Sequence, residues 1–170
     1  TTSRNVTLNL TQSDATSGVN RMRFKIGTNG LWTAWETAAL TKTLNLEDTD
    51  GLQTVFYEIE DKAGLISQTL SDTITLDRIA PTGSIKINND APYTTSRDVT
   101  LNLTATDATS GIDQMRFSTD SGTTWSAWEN YAATKALTLP AGDGTKEVWM
   151  ELKDKAGLIS LVLKDAITLD

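Results

Sequence analysis

Val99, Leu101 and Leu103 alternate with Thr100, Asn102 and Thr104. The same period-two pattern returns where Met115 and Phe117 flank Arg116 and where Leu137 and Leu139 flank Thr138. It returns again where Val148, Met150 and Leu152 flank Trp149 and Glu151. Alternation sends successive side chains to opposite faces of a strand, so these runs predict strands with one buried and one wet face. No segment sustains apolar residues at i, i+3, i+4 and i+7, so no amphipathic helix is expected. Turn residues separate the runs at Asp107–Gly111, Asp120–Gly122, Ala141–Gly144 and Asp154–Gly157. There Asp and Ser can bond their own backbone and Gly can take positive φ. Short strands at ~8–12-residue spacing without helices predict an all-β sandwich of about seven antiparallel strands.

The pattern occurs twice. Thr1–Asp77 aligns without a gap on Thr94–Asp170, a period of 93 residues (94 − 1). Roughly 44 of the 77 aligned positions are identical. TTSR, VTLNLT, DATSG, MRF, DKAGLIS and ITLD return in the same order. Between the copies, Ser84–Asn88 alternates around Ile85 and Ile87 and reads as a strand with no equivalent before Thr1. The expected organisation is a first domain at 1–77 lacking its opening strand, a linker at 78–81 and a second domain at 82–170. Both ends are expected to fall within a longer tandem array. Pro81 fixes its own φ and restricts Ala80, which limits bending of the linker.

The segments VTLNLTATDATSGI, MRFS, TWSAWE, DGTKEVWMELKDKAG and the closing ITLD before IAP resemble the bacterial immunoglobulin-like repeats of large secreted and surface proteins. The resemblance covers the whole chain. It implies two immunoglobulin-like sandwiches in series, of the kind found in adhesins, surface-layer-associated proteins and multimodular secreted enzymes. Many family members carry D-x-A-G-N where this chain has DKAGL, which weakens any role resting on that Asn. Such a scaffold hosts many functions.

Composition narrows the chemistry. The 170 residues carry 22 acids against 15 bases, a net charge of −7, with no Cys and no His. Their absence removes Cys/His zinc sites, the Ser-His-Asp triad and thiol nucleophiles. The acidic balance argues against a nucleic-acid groove, and no apolar run is long enough to insert in a membrane as a helix. A chain without Cys folds without disulfides, which suits a bacterial exported protein and equally permits a cytosolic one.

The tryptophans are the strongest lead. Trp32 and Trp35 match Trp125 and Trp128, giving W-T-A-W and W-S-A-W. On a regular strand a spacing of three puts the two rings on opposite faces. A three-residue hairpin loop at Asp120–Gly122 would pair Phe117 with Trp125 and Gln114 with Trp128. Trp125 and Trp32 would then face the core, and Trp128 and Trp35 the solvent; a four-residue loop would reverse them. Arg116 (Arg23 in copy one) lies diagonally beside Trp128, and Trp149 (Phe56 in copy one) shares the outward phase. The arrangement is similar to the Trp–Arg ladder of WSxW segments in thrombospondin and cytokine-receptor domains. One reading makes Trp35, Arg23, Trp128, Arg116 and Trp149 a platform that stacks sugar rings. The other makes them a structural ladder, favoured by recurrence, since folding needs every copy and ligand binding does not.

Other groups are weaker. In an immunoglobulin-like sandwich Asp77, Asp107 and Asp154 would gather at the domain junction, where Ca²⁺ could use their oxygens; simple Asx turns at Asp107 and Asp154 are the plainer explanation. Glu147 and Glu151 share a strand, but glycoside cleavage needs a pocket that the short loops do not build. A Lys–Asn isopeptide bond is not expected: Lys42 and Lys135 sit at strand beginnings where they can snorkel, and Asn9 and Asn102 point outward. The NVT and NLT triplets serve β-propensity more plainly than glycosylation. The chain is thus expected to be a non-catalytic spacer of an extracellular, secreted or cell-surface bacterial protein. Its partners would be neighbouring repeats, with cell-surface glycans or proteins as further candidates. A carbohydrate-binding accessory module is the alternative, and a homotypic adhesin the third.

Overall fold

The computed structural model describes all residues, Thr1–Asp170, and contains fourteen strands and no helix. The chain divides into two compact units, Thr1–Arg78 and Ile79–Asp170.

Unit two is the fuller. Its strands are β7 (Thr82–Ile87), β8 (Tyr93–Thr94), β9 (Asp98–Thr106), β10 (Ile112–Ser118), β11 (Glu129–Asn130), β12 (Thr134–Thr138), β13 (Gly144–Asp154) and β14 (Leu163–Leu169). One sheet runs β12-β9-β7 and the other β11-β10-β13-β14-β8. All pairings are antiparallel except β14 with β8. The alternating positions read from sequence form the core between the sheets: Val99, Leu101, Leu103, Met115, Phe117, Val148, Met150 and Leu152, joined by Ile85, Ile87, Leu139 and Ile167. Each such side chain contributes about 1.5–3 kcal/mol of transfer free energy when removed from water.

Unit one repeats this plan with fewer strands: β1 (Asn5–Asn9), β2 (Val19–Ile26), β3 (Glu36–Thr37), β4 (Thr41–Asn45), β5 (Gly51–Asp61) and β6 (Leu70–Leu76). Its sheets run β1-β4 and β3-β2-β5-β6. Nothing among the 170 residues stands where β7 stands in unit two. Met22, Phe24, Leu46, Val55, Tyr57 and Leu76 form the buried core, with the Phe24 and Tyr57 rings stacked at 5.1 Å. Thr1 takes the place of Thr94: its carbonyl accepts the Asp77 N–H at 2.9 Å, as that of Thr94 accepts the Asp170 N–H at 3.1 Å.

The hairpin after β10 corrects the expected register. Gln114 pairs with Asn130 and not with Trp128. Phe117 faces Ser126: its N–H donates to Ser126 Oγ at 3.1 Å, and its carbonyl accepts the Ser126 N–H at 2.8 Å. Trp125–Trp128 lies in no strand, so the strand rule that separated the two rings does not apply. The same holds for Trp32–Trp35, where Phe24 bonds Thr33 in the same way.

Candidate functional site

Both rings of each W-x-A-W segment lie on the outer face of the larger sheet, half-buried, and neither faces the core. Trp125 and Trp32 are thereby corrected: the expectation that they are core residues fails. Arg116 places its guanidinium 4.9 Å from the Trp125 ring centre and 4.5 Å from that of Trp128. Lys153 Nζ follows at 4.6 Å from Trp128, and Lys164 Nζ lies 5.5 Å from Trp149. A Cβ added at Gly122 would sit 3.1 Å from the Trp149 ring and 3.7 Å from Trp125, so the loop backbone is wedged between the two.

Unit one builds the same series. Arg23 lies 4.7 Å from Trp32 and 4.5 Å from Trp35, Arg21 5.3 Å from Trp35, and Lys25 5.3 Å from Trp32 and 4.8 Å from Phe56. Arg21, Arg23 and Lys25 are alternate residues of β2 and share a face roughly 7 Å apart. A ring within reach of two of them is therefore held between them.

The arginines are fixed from the other side. Arg23 donates through Nε and Nη2 to Glu58 Oε2 at 2.9 and 2.6 Å, and Thr69 Oγ1 donates to Glu58 Oε1 at 2.6 Å. Partial burial works against ionisation of Glu58, but the Thr69 and Arg23 hydrogen bonds outweigh it and hold its carboxyl below the ordinary value. Arg116 binds Glu151 Oε2 in the same manner, at 2.7 and 2.6 Å. Glu147 Oε2 accepts the Trp149 indole N–H at 3.0 Å, which with nearby Lys164 lowers its pKa. The two carboxylates weighed for glycoside chemistry thus each hold a ladder residue.

Asp107 and Asp154 sit at one end of unit two. Asp107 Oδ1 accepts the N–H groups of Thr109, Ser110 and Gly111 at 3.2, 2.9 and 2.7 Å. Asp154 Oδ1 accepts the Leu158 N–H at 2.8 Å. These are the Asx-type turns weighed from sequence. Their carboxylates also approach within 4.8 Å of each other, and Asp154 Oδ2 is buried with no hydrogen-bond partner. Oxygen donors in that state fit a hard cation such as Ca²⁺. Asp77 follows β6 at the end of unit one. Lys42 and Lys135 pair with Glu36 and Glu129 at 2.5 and 2.6 Å.

No family model matches this sequence, and no curated protein matches it. Solved structures do. The fibronectin(III)-like modules of Clostridium thermocellum CbhA align over 99% of this chain and 86% of theirs, at 15% identity and TM-score 0.51. The FN1–FN3 domains of chicken CNTN1 align over 99% of this chain and 62% of theirs, at 11% identity and TM-score 0.50. The D00–D0 domain of intimin aligns over 99% and 94%, at 14% identity and TM-score 0.42. The likeness is one of fold. Fold and repeat together make this chain a tandem of immunoglobulin/fibronectin-III-type β-sandwich modules.

Proposed function

We propose that the chain is a non-catalytic spacer of an extracellular bacterial surface protein, linking or presenting other modules of its parent. The observation that carries this reading is the ladder: in both units every ring of the W-x-A-W segment is occupied by a cation of its own unit. Side chains committed to one another in each repeat serve the repeat. Each unit has its own apolar interior, so an array of them gains stability copy by copy. The excess of acids keeps a long array soluble.

Replacing both units in the parent protein with an unrelated pair of sandwich modules of equal length tests the role. Retained activity of the parent is the expected result; loss of activity at unchanged export overturns the spacer. The carbohydrate reading is tested by titrating soluble polysaccharides against tryptophan fluorescence, with Trp128→Ala as control. No shift is expected, and saturable binding lost in that variant would make the ladder a ligand platform.

A further inference from the structure

Three successive residues of unit two hold a backbone conformation that the rest of the chain gives to glycine. Asn88, Asn89 and Asp90 have φ of 47, 59 and 70°. Of the other positive-φ positions, nine are glycine and one is Ser121. Asn and Asp enter the left-handed region as single residues, because a short polar side chain can bond locally. In a run of three, each Cβ crowds the carbonyl that follows it, so the segment is strained. The turn that imposes this is tight. The Asp90 and Ala91 N–H groups both donate to the Ile87 carbonyl, at 2.9 and 3.3 Å, and Asn88 Oδ1 accepts the Thr100 N–H at 2.9 Å.

The strained run ends β7, and β7 is placed to leave. It is the first strand of unit two and the outer strand of its sheet, paired with β9 alone. Its release therefore unthreads no other strand. The slot it would vacate is specific. Ile85 and Ile87 are 5 and 0% exposed in the core, and the Ile87 N–H donates to Asp165 Oδ2 at 2.7 Å. A Cβ at Gly83 would fall 2.2 Å from the Thr104 carbonyl oxygen, so the slot also requires glycine there. The strand that meets all these demands is β7 itself, and a second copy of the chain supplies one.

We propose that two copies of the chain exchange β7. Each β7 fills the slot in the unit two of the other copy, and residues 88–91 run extended instead of turning back. Ala91 already precedes Pro92, whose ring favours an extended residue before it. Every contact that β7 makes within one chain is remade between chains. The two forms then differ in the strain released at the turn and the two N–H groups returned to water, set against the entropy of association. A short hinge under strain favours exchange. The product is a closed, two-fold pair that needs no new surface.

The absence of Cys allows a direct test. Ser84 and Thr104 lie opposite each other on β7 and β9, with their hydroxyl oxygens 2.8 Å apart, close enough for a cysteine pair to join. One chain carries Ser84→Cys alone and another Thr104→Cys alone. The two are mixed, unfolded in urea with reductant, refolded together at low micromolar and near-millimolar concentration, and oxidised. A disulfide-linked dimer is expected from the mixture at high concentration and from neither variant by itself. Both substitutions on one chain, at low concentration, should give an internal disulfide, which checks that the pair closes. Sedimentation of the unsubstituted chain should show a dimer whose share rises with concentration. Asn89→Gly with Asp90→Gly relieves the turn and should lower the association constant at least ~tenfold. Asn89→Pro, which cannot adopt a positive φ, should raise it. An unsubstituted chain that stays monomeric at the highest concentration overturns the proposal. So does a dimer that the mixture fails to cross-link, since another surface would then form it, and so does a cross-link whose yield the glycine pair leaves unchanged.

Discussion

Arg116 reaches across from β10 to β13 and donates to a single oxygen of Glu151, from Nε at 2.7 Å and from Nη2 at 2.6 Å. The same guanidinium lies over Trp125 and Trp128, so one cation satisfies a half-buried carboxylate and two aromatic faces. Arg116→Ala leaves Glu151 without its partner and is expected to destabilise unit two by about 2 kcal/mol. Arg116→Lys should recover only part of this, because an ammonium cannot lie flat on a ring while bonding sideways. Urea denaturation of both variants measures the difference. Equal stability of wild type and Arg116→Ala would mean that the ladder is decorative.

The tip of the β10 hairpin should be acid-sensitive in unit two, where Asp120 stands. Asp120 accepts from the Thr124 hydroxyl and N–H and from the Ser118 hydroxyl, which lower its pKa from the ordinary 3.8 to about 2. A carboxylate depressed on folding stabilises above its unfolded pKa and loses that contribution as pH falls through the folded one. The loop should therefore be intact above pH 3.8 and loosen progressively toward pH 2. Unit one has Gly27 at the matching position and should show no such step. Carboxyl NMR titration reads the pKa, and amide shifts of Ser118–Thr124 read the loop.

Calcium is tested at Asp107 and Asp154. If the buried, partnerless Asp154 Oδ2 is a cation ligand, added Ca²⁺ raises the Tm of unit two and EDTA lowers it. Asp154→Asn should abolish the response, and Asp77→Ala tests the third acid named from sequence. A Tm unmoved by EDTA ends the calcium expectation.

Identical residues should differ in worth between the units. Leu101→Ala empties a fully buried site and is expected to cost about 2–5 kcal/mol. Leu8→Ala, at a site that is only half-buried in this chain, should cost less than half of that. Equal losses by chemical denaturation would mean that the two leucines are buried alike in solution.

The strands were legible because their faces differ. Each of Val99, Leu101, Leu103, Met115, Phe117, Val148, Met150 and Leu152 was read as inward by alternation and is buried. The outward phase of Trp149, a residue of β13, was legible for the same reason, whereas Trp128 meets Arg116 on that face although the Gln114–Trp128 pairing expected to place it there does not form. Trp125 and Trp32 were misplaced because period two belongs to paired strands, and the W-x-A-W segments pair through Ser126 and Thr33 alone. The signal that could have found them was the alternation of Arg21, Arg23 and Lys25, three cations on one face requiring partners.

By itself the sequence determined the β class, the two copies and the inward set of each strand, since these depend on local periodicity and on repetition that a single chain displays. Tertiary structure decided which aromatic faces meet which cations, and that Asp154 keeps an oxygen out of water. Those outcomes depend on which strand lies alongside, and neighbours in space are set by packing between segments far apart in the chain.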